Sequence, residues 1–214
     1  MIQDINNLTD DDKLNFGIYD SIQESFDFIK SNPSDQKGKS STNVIAHYMD
    51  VLYNYACECE TITEMGINQV NSTWAFLLSN PKRLTSIDID LHKNPTKHLG
   101  NFKGTNIWLL NAQRLASKYN IEFNVIEADT TKIEIDTTDL LFIDTNHTYE
   151  CLSKELSLHG NKVNKYIIFH DTILFKDLNK AINEFLEANP NWVIKEKISS
   201  LPGLTIIKNL HNTK

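Results

Sequence analysis

The feature that most constrains this chain is an alternation of two sequence patterns that begins near Thr61. Short runs rich in β-branched residues alternate with longer stretches that carry apolar residues at three-to-four spacing, as is typical of βαβ units. Strands are predicted at residues 61–64, 83–88, 121–127, 139–144, 165–170, 193–197 and 204–208. Helices are predicted between them at 72–78, 106–119, 149–159 and 177–188. The expected fold is α/β, a Rossmann-like and mostly parallel seven-stranded sheet with helices on both faces.

The last two predicted strands are joined by residues 198–203. A connection this short suits an antiparallel hairpin and leaves no room for a helical crossover. We therefore expect an antiparallel last strand at the end of the sheet.

Residues 1–60 follow a different pattern, with two amphipathic helices predicted at 18–30 and 43–57 and a polar, turn-rich loop at 31–41. This region is expected to be an N-terminal helical cap or an extension packed on the outside of one compact domain at 61–214. Apolar residues of the first helix, such as Ile22, Phe26 and Ile29, suit either the chain's own core or a homo-oligomer interface. The sequence leaves both open.

The charge balance limits the partners of the protein. Its 214 residues include 21 Lys and Arg against 28 Asp and Glu, a formal net charge of −7. This argues against binding of nucleic acid or of an anionic membrane by bulk electrostatics and favours a small-molecule partner. The three cysteines are an odd number, and no basic leader or apolar run of roughly 18 residues is present. We expect a cytoplasmic protein with reduced thiols.

Acidic residues recur where the predicted strands end. Ligands of an open α/β sheet bind beyond the carboxyl ends of the strands, so these residues are candidates for a site. They are Glu64, Asp88, Asp129 just after the third strand, Asp144, and the pair His170-Asp171. One such residue would be an ordinary turn or cap residue, but a row along one edge of the sheet indicates function.

The first strand leads into a turn, residues 64–73, with features of a ligand-binding loop. Gly66 would allow a close approach of the backbone to a ligand, and Asn68 tolerates left-handed backbone conformations. Ser72 is placed to cap the following helix. Asp88, which ends the second strand, suits hydrogen bonding to both hydroxyls of a ribose, with Asp90 as the competing candidate. An ordinary βα turn is the alternative.

The strongest pattern joins the fourth and fifth strands. Each is a buried apolar strand that runs directly into acidic and imidazole side chains, and if the strands are neighbours, Asp144, His147, His170 and Asp171 converge. Carboxylates with imidazole suit a divalent cation, and a neighbouring histidine suits a general base. The alternative is that both histidines bind backbone carbonyls and Asp171 caps the next segment.

At these residues the chain resembles class I S-adenosylmethionine-dependent methyltransferases over about 61–208. The motifs are Phe142-Ile143-Asp144-x-x-His147-x-Tyr149-Glu150 and Ile168-Phe169-His170-Asp171-Thr172. They are most similar to those of the metal-dependent O-methyltransferases related to macrocin O-methyltransferase and cephalosporin hydroxylase, many of which act on sugar hydroxyls. The resemblance therefore implies an O-methyltransferase that acts on a sugar or glycan-type small molecule.

The resemblance also implies a role for each matching residue. Those expected to bind S-adenosylmethionine are Glu64, Gly66, Asn68, Ser72, Asp88 and Asp129. Of these, Asp129 falls where such enzymes hold the adenine. A divalent cation, Mg²⁺ or Mn²⁺, would be held by Asp144 and Asp171 with His170 as a third ligand. Catalysis is assigned to Asp144 and to His147, which would remove the proton of the acceptor hydroxyl.

Two departures from the family pattern leave alternatives open. Val70 and Asn71 stand where family members usually have glycines, and His170 stands where related metal enzymes often have a carboxylate. A metal-independent enzyme that uses His147 or His170 alone is one alternative. A dinucleotide-dependent oxidoreductase is disfavoured because Gly-x-Gly-x-x-Gly does not follow the first strand. The third is a non-catalytic binding protein with a degenerate methyltransferase fold.

Acceptor recognition is expected in residues 35–41 and 91–103.

Overall fold

The computed structural model describes residues 9, 11, 13, 17–31, 44–91 and 106–211. Residues 35–41 and 92–103, where acceptor recognition is expected, lie outside this part of the chain. None of the described helices has the length and apolar content of a membrane-spanning segment.

The described residues form one seven-stranded sheet with helices around it, which confirms the predicted Rossmann-like fold class. The strands are β1 Thr61–Met65, β2 Arg83–Asp88, β3 Glu122–Glu127, β4 Thr138–Ile143, β5 Val163–His170, β6 Trp192–Ile198 and β7 Leu204–Asn209. The helices are α1 Ile22–Ser31, α2 Met49–Ala56, α3 Asn71–Leu78, α4 Ile107–Lys118, α5 Tyr149–His159 and α6 Asp177–Ala188. Short 3-10 helices cover Val44–Tyr48 and Gly160–Lys162.

The order of strands across the sheet is β3-β2-β1-β4-β5-β7-β6. β4 pairs in parallel with both β1 and β5, whereas β7 pairs antiparallel with both β5 and β6. The predicted hairpin and antiparallel last strand are therefore confirmed. β7 lies between β5 and β6, so the hairpin also joins the sheet through its second strand.

The chain divides into two compact units. The first consists of Met1–Glu58, Ile67–Leu84 and Asp90–Asn124, and the second of Cys59–Gly66, Thr85–Ile89 and Val125–Lys214. The division of the sequence into residues 1–60 and 61–214 stays a prediction.

In the first unit, α1 and α2 pack against α3. Ile22, Phe26 and Ile29 are buried on one face of α1, so within this chain they contribute to the core. The predicted helix at 43–57 begins as a 3-10 turn and continues as α2. Helices as short as α1 and α2 are marginal on their own, and burial of their apolar faces stabilises them.

In the second unit, α5 and α6 pack against the central strands. Leu141, Ile143, Ile167 and Phe169 join Leu152, Leu156, Ile182 and Phe185 of these helices in one buried apolar cluster. The strand runs Leu140–Ile143 and Tyr166–Phe169 are almost fully buried, as expected for strands covered on both faces. β4 ends at Ile143, one residue earlier than predicted, so Asp144 lies directly beyond the end of the strand.

Candidate active site

The carboxyl ends of β4 and β5 bring four predicted site residues together. Ile143 and Phe169 are paired in the parallel register of these strands, so the residues that follow them emerge side by side. Asp144 follows β4, His170 is the last residue of β5, and Asp171 comes next with a left-handed backbone (φ 62°). His147 lies in the short loop before α5, which begins after the capping residue Thr148.

The four side chains are in direct contact. Nε2 of His147 lies 2.7 Å from Oδ2 of Asp171 and 3.2 Å from Oδ1 of Asp144. Nδ1 of His170 lies 3.2 Å from the same Asp144 oxygen and 3.4 Å from Oδ2 of Asp171. Each carboxylate therefore faces both imidazole rings. In these contacts the partners of both histidines are carboxylates.

The two aspartates set the protonation of the histidines. Burial of His147 favours its neutral form, but hydrogen bonds and charge attraction from Asp144 and Asp171 outweigh burial and raise its pKa to about 9. The same balance raises the pKa of the more deeply buried His170 to about 10. Without a cation, both imidazoles are therefore protonated at neutral pH.

The carboxylates respond in the opposite sense. Burial opposes ionisation of Asp144, yet the neighbouring His170 and His147 hold its pKa well below its usual range. The pKa of Asp171 is lowered by the same two histidines, against the effect of burial. Two carboxylates and two imidazolium groups compensate each other, so four charges persist in a largely buried cluster.

Three residues of the cluster could hold a divalent cation. One ligand atom each from Asp144, His147 and Asp171 lie within 4.8 Å of one another. Two carboxylate oxygens with an imidazole nitrogen form a suitable donor set for Mg²⁺ or Mn²⁺. The histidine in this group is His147, whereas the family resemblance assigned His170 as the third ligand. That assignment stays a prediction, since Nδ1 of His170 also faces both carboxylates.

The segment Ile173-Leu174-Phe175 forms an apolar wall beside the cluster. The ring of Phe175 stacks on His147 with centroids 4.5 Å apart and planes 11° from parallel. Backbone amides of Ile173 and Leu174 both donate to the carbonyl of Pro202 at 3.0 Å, which ties this wall to the β6–β7 hairpin. The wall therefore holds one face of the His147 ring.

Gly66 is required by the packing of the strand ends. Its amide donates to the carbonyl of Ile87 at 2.8 Å, and its backbone is left-handed (φ 90°). A Cβ at this position would lie 1.9 Å from the carbonyl oxygen of Asp144. Glu64, two residues earlier in β1, is fully buried and accepts a hydrogen bond of 2.6 Å from the hydroxyl of Ser86. The structure thus gives both residues a role in the fold.

After Gly66, the turn at residues 64–73 contains no further glycine, yet two of its residues have the left-handed backbone that favours glycine. Asn68 (φ 41°) and Val70 (φ 66°) are both left-handed, a rare conformation for a β-branched residue. Val70 is fully buried, and its amide donates to the carbonyl of Ile67 at 2.8 Å. Ser72 is buried in the first turn of α3. The glycine-to-valine departure therefore leaves the turn in a strained conformation.

Asp88 and Asp129 follow their strands as predicted. Asp88 ends β2, and its carbonyl accepts a hydrogen bond of 2.9 Å from the amide of Ala128. The carboxylate of Asp129 binds the hydroxyl and amide of Thr131 at 2.7 and 3.0 Å and pairs with Lys132 at 2.9 Å. These bonds lower the pKa of Asp129 to about 2. The side chain of Asp129 thus closes its own turn.

A buried carboxylate that the sequence analysis missed lies on α5. Glu155 is fully buried and accepts hydrogen bonds from the hydroxyls of Thr130 and Thr145, the latter at 3.0 Å. Burial raises its pKa, although the two threonines oppose this. One signal was present in the sequence, because Glu155 stands between Leu152 and Leu156 on the apolar face of a helix.

Comparison with known proteins finds likeness in three-dimensional structure only. No protein-family model and no curated protein matches the chain. A proposed caffeoyl-CoA O-methyltransferase from Staphylococcus aureus gives a TM-score of 0.55 at 15% identity, over 92% of this chain and 96% of the other. The O-methyltransferase NovP gives 0.58 at 12% identity, over 88% and 99%. The SAH-bound methyltransferase PaMTH1 from Podospora anserina gives 0.52 at 14% identity, over 90% and 88%. At these identities the likeness shows a shared fold.

Proposed function

We propose that this chain is an S-adenosylmethionine-dependent O-methyltransferase that acts, with a divalent cation, on a hydroxyl of a sugar or glycan-type small molecule. The observation that carries the proposal is the contact of Asp144, His147, His170 and Asp171 at the carboxyl ends of β4 and β5. Ligands of open α/β sheets bind at that edge. The methyltransferase fold of the structural neighbours supports the proposal, and two of them carry O-methyltransferase names.

The cofactor assignment rests on the family resemblance, which gives Glu64, Gly66, Asn68, Ser72, Asp88 and Asp129 as the binding residues. Asp88 is the best supported of these, because it ends its strand and retains partial solvent exposure. Glu64 is fully buried and bound to Ser86, so it would act on the cofactor indirectly. Asp129 would present its turn to the adenine, since its carboxylate already binds Thr131 and Lys132.

The Nε2 atom of His147 cannot be both a metal ligand and the general base. Its Nε2 atom faces both carboxylates and would be the third ligand of a cation held by Asp144 and Asp171. As a base, His147 would have to accept the acceptor proton at Nδ1, because a ligating nitrogen has no lone pair left for it. A cation supplies charge that orients the acceptor hydroxyl and lowers its pKa.

The protonation of His147 depends on whether a cation is bound between the carboxylates. With a pKa near 9 in the absence of metal, His147 is protonated at neutral pH and cannot accept a proton. Positive charge between Asp144 and Asp171 disfavours a second positive charge on the imidazole and favours its neutral form. A cation held there would therefore favour the neutral His147 that the base role needs.

Isothermal titration calorimetry tests the proposal, with S-adenosylmethionine and S-adenosylhomocysteine as titrants in the presence and absence of Mn²⁺. We expect both to bind, and no heat of binding at millimolar cofactor would refute the proposed function. Mass spectrometry of methyl transfer to a panel of nucleotide sugars and glycosides then tests the acceptor class. Transfer to aromatic phenols but to no sugar would retain the reaction and reject the sugar.

A further inference from the structure

The carboxylate of Glu155 joins two segments that leave different strands of the sheet. Thr130 follows β3 and Thr145 follows β4, and in the sheet β2 and β1 lie between these two strands. One carboxylate oxygen of Glu155 accepts the Thr130 hydroxyl and the other accepts the Thr145 hydroxyl. The two segments are therefore coupled through a single side chain of α5.

Each joined threonine is next to a predicted functional residue. Thr130 follows Asp129, which the family resemblance assigns to the adenine of the cofactor, and Thr145 follows Asp144 of the acid and imidazole cluster. The hydroxyls of both threonines reach the fully buried carboxylate of Glu155, and an acceptor that loses its partner in the interior is destabilising. The positions of the two neighbouring backbone segments thus depend on Glu155.

A second residue of the same helix reinforces this contact. His159, one turn after Glu155 and also fully buried, has its Nε2 atom 2.8 Å from the carbonyl oxygen of Thr130. A carbonyl only accepts hydrogen bonds, so Nε2 carries the proton. The face of α5 formed by Glu155 and His159 therefore holds Thr130 through both its side chain and its backbone.

We propose, on the basis of the function proposed above, that Glu155 is a positioning residue that couples the cofactor segment at Asp129-Thr130 to the reaction site at Asp144-Thr145. Loss of either threonine hydroxyl weakens cofactor binding, including that of Thr145, which follows a different strand from the cofactor segment. If the two losses act through Glu155 they are not independent, so non-additivity in the double variant distinguishes coupling from two separate local contacts.

Calorimetric titration of S-adenosylhomocysteine tests the coupling without a known acceptor. The variants are Thr130→Val and Thr145→Val, which remove one hydroxyl each at nearly constant shape, with Glu155→Gln and Glu155→Ala. Ser153→Ala is the matched control, because the Ser153 hydroxyl lies on the same helix, is buried and has no hydrogen-bond partner among the described residues. Circular dichroism and thermal melts establish that each variant is folded at the titration temperature.

Each threonine variant is expected to raise the Kd of S-adenosylhomocysteine at least about fivefold, and the double variant less than the product of the two. Glu155→Gln, which keeps an acceptor and the side-chain shape, is expected to bind more tightly than Glu155→Ala. The Ser153→Ala variant is expected to bind as the wild type does. If Glu155→Ala does not fold, the threonine variants still decide the question.

Two results overturn the inference, and they differ from each other. Unchanged affinity in Thr145→Val, with a lowered melting temperature, would show that Glu155 supports only the fold. A wild-type protein that does not bind S-adenosylhomocysteine would refute the proposed function itself, and the positioning role with it.

Discussion

The Nε2 atom of His147 lies 2.7 Å from the Oδ2 atom of Asp171, although 24 positions of sequence, a helix and a strand separate the two residues. The contact exists because β4 and β5 are parallel neighbours, so the loop after one strand meets the residue after the other. A cation that binds both residues has to displace the proton that lies between them.

Substitution of Asp171 should weaken the hold of His147 on its proton. We expect Asp171→Asn to lower the pKa of His147 from about 9 toward the 6.5 of an unperturbed histidine, because the closest negative charge is removed. NMR titration of the imidazole signals measures this change. Asp177→Asn, an exposed aspartate at the start of α6, is the control. An unaltered His147 pKa in Asp171→Asn would mean that Asp144 alone holds the proton.

The cluster should bind Mn²⁺ through its carboxylates. We expect Asp144→Asn to weaken Mn²⁺ binding by about tenfold or more, a typical lower limit for changes at and around metal ligands. Calorimetric titration or Mn²⁺ electron paramagnetic resonance provides the affinity. Glu187→Gln removes one negative charge from an exposed site on α6 and should leave the affinity unchanged. Equal loss in both variants would indicate a general effect of net charge rather than a site.

Gly66 should tolerate no side chain. We expect Gly66→Ala to destabilise the protein by about 3 kcal/mol or more, because the new Cβ would meet the Asp144 carbonyl while the backbone stays left-handed. Gly17→Ala is a matched control, since Gly17 is also left-handed (φ 62°) but a Cβ there has its nearest neighbour, a Phe28 side-chain atom, at 3.4 Å. Denaturant unfolding measures both. Equal losses would show that backbone conformation alone makes Gly66 necessary.

Acid should destabilise the wild-type protein partly through His159. Burial lowers the pKa of this histidine in the fold, so the unfolded chain takes up its proton first as the pH falls. Stability is therefore lost as the pH decreases through the unfolded value near 6.5. We expect unfolding free energies to fall more steeply between pH 7.5 and 5.5 in the wild type than in His159→Gln. Parallel profiles would show that His159 does not contribute to this pH dependence.

The main features of the fold were predictable because they depend on local patterns and chain direction. Apolar runs such as Leu140–Ile143 identify buried strands, and parallel neighbours necessarily bring Asp144 and Asp171 to one edge. The predicted strands at 61–64 and 139–144 differ from β1 and β4 by one residue at their ends. Strand ends are set by hydrogen bonds to neighbours, such as that from the Asp144 amide to the Met65 carbonyl at 2.8 Å, and the sequence does not contain these.

Side-chain partners were less predictable, because each depends on where a distant residue points. Asp129 matched a family position, yet its carboxylate binds Thr131 and Lys132 in its own turn. Glu155 gave only the signal of an acid among leucines, and its partners come from two segments remote in sequence. The left-handed backbone of Val70 was also unpredictable, since valine rarely adopts it and only packing around a buried side chain can impose it.

The position of β7 determines when the site can be completed during synthesis. A ribosome makes β5 and its terminal His170 first, then β6, and β7 last of the three. Yet among the described strands β6 pairs only with β7, and β7 also pairs with β5 along Tyr166–His170. A nascent chain that ends before Leu204 therefore has an open β5 edge and an unattached β6. Until β7 is inserted, the strand that carries His170 lacks its outer neighbour, with Leu204 as the pairing partner of His170 still missing.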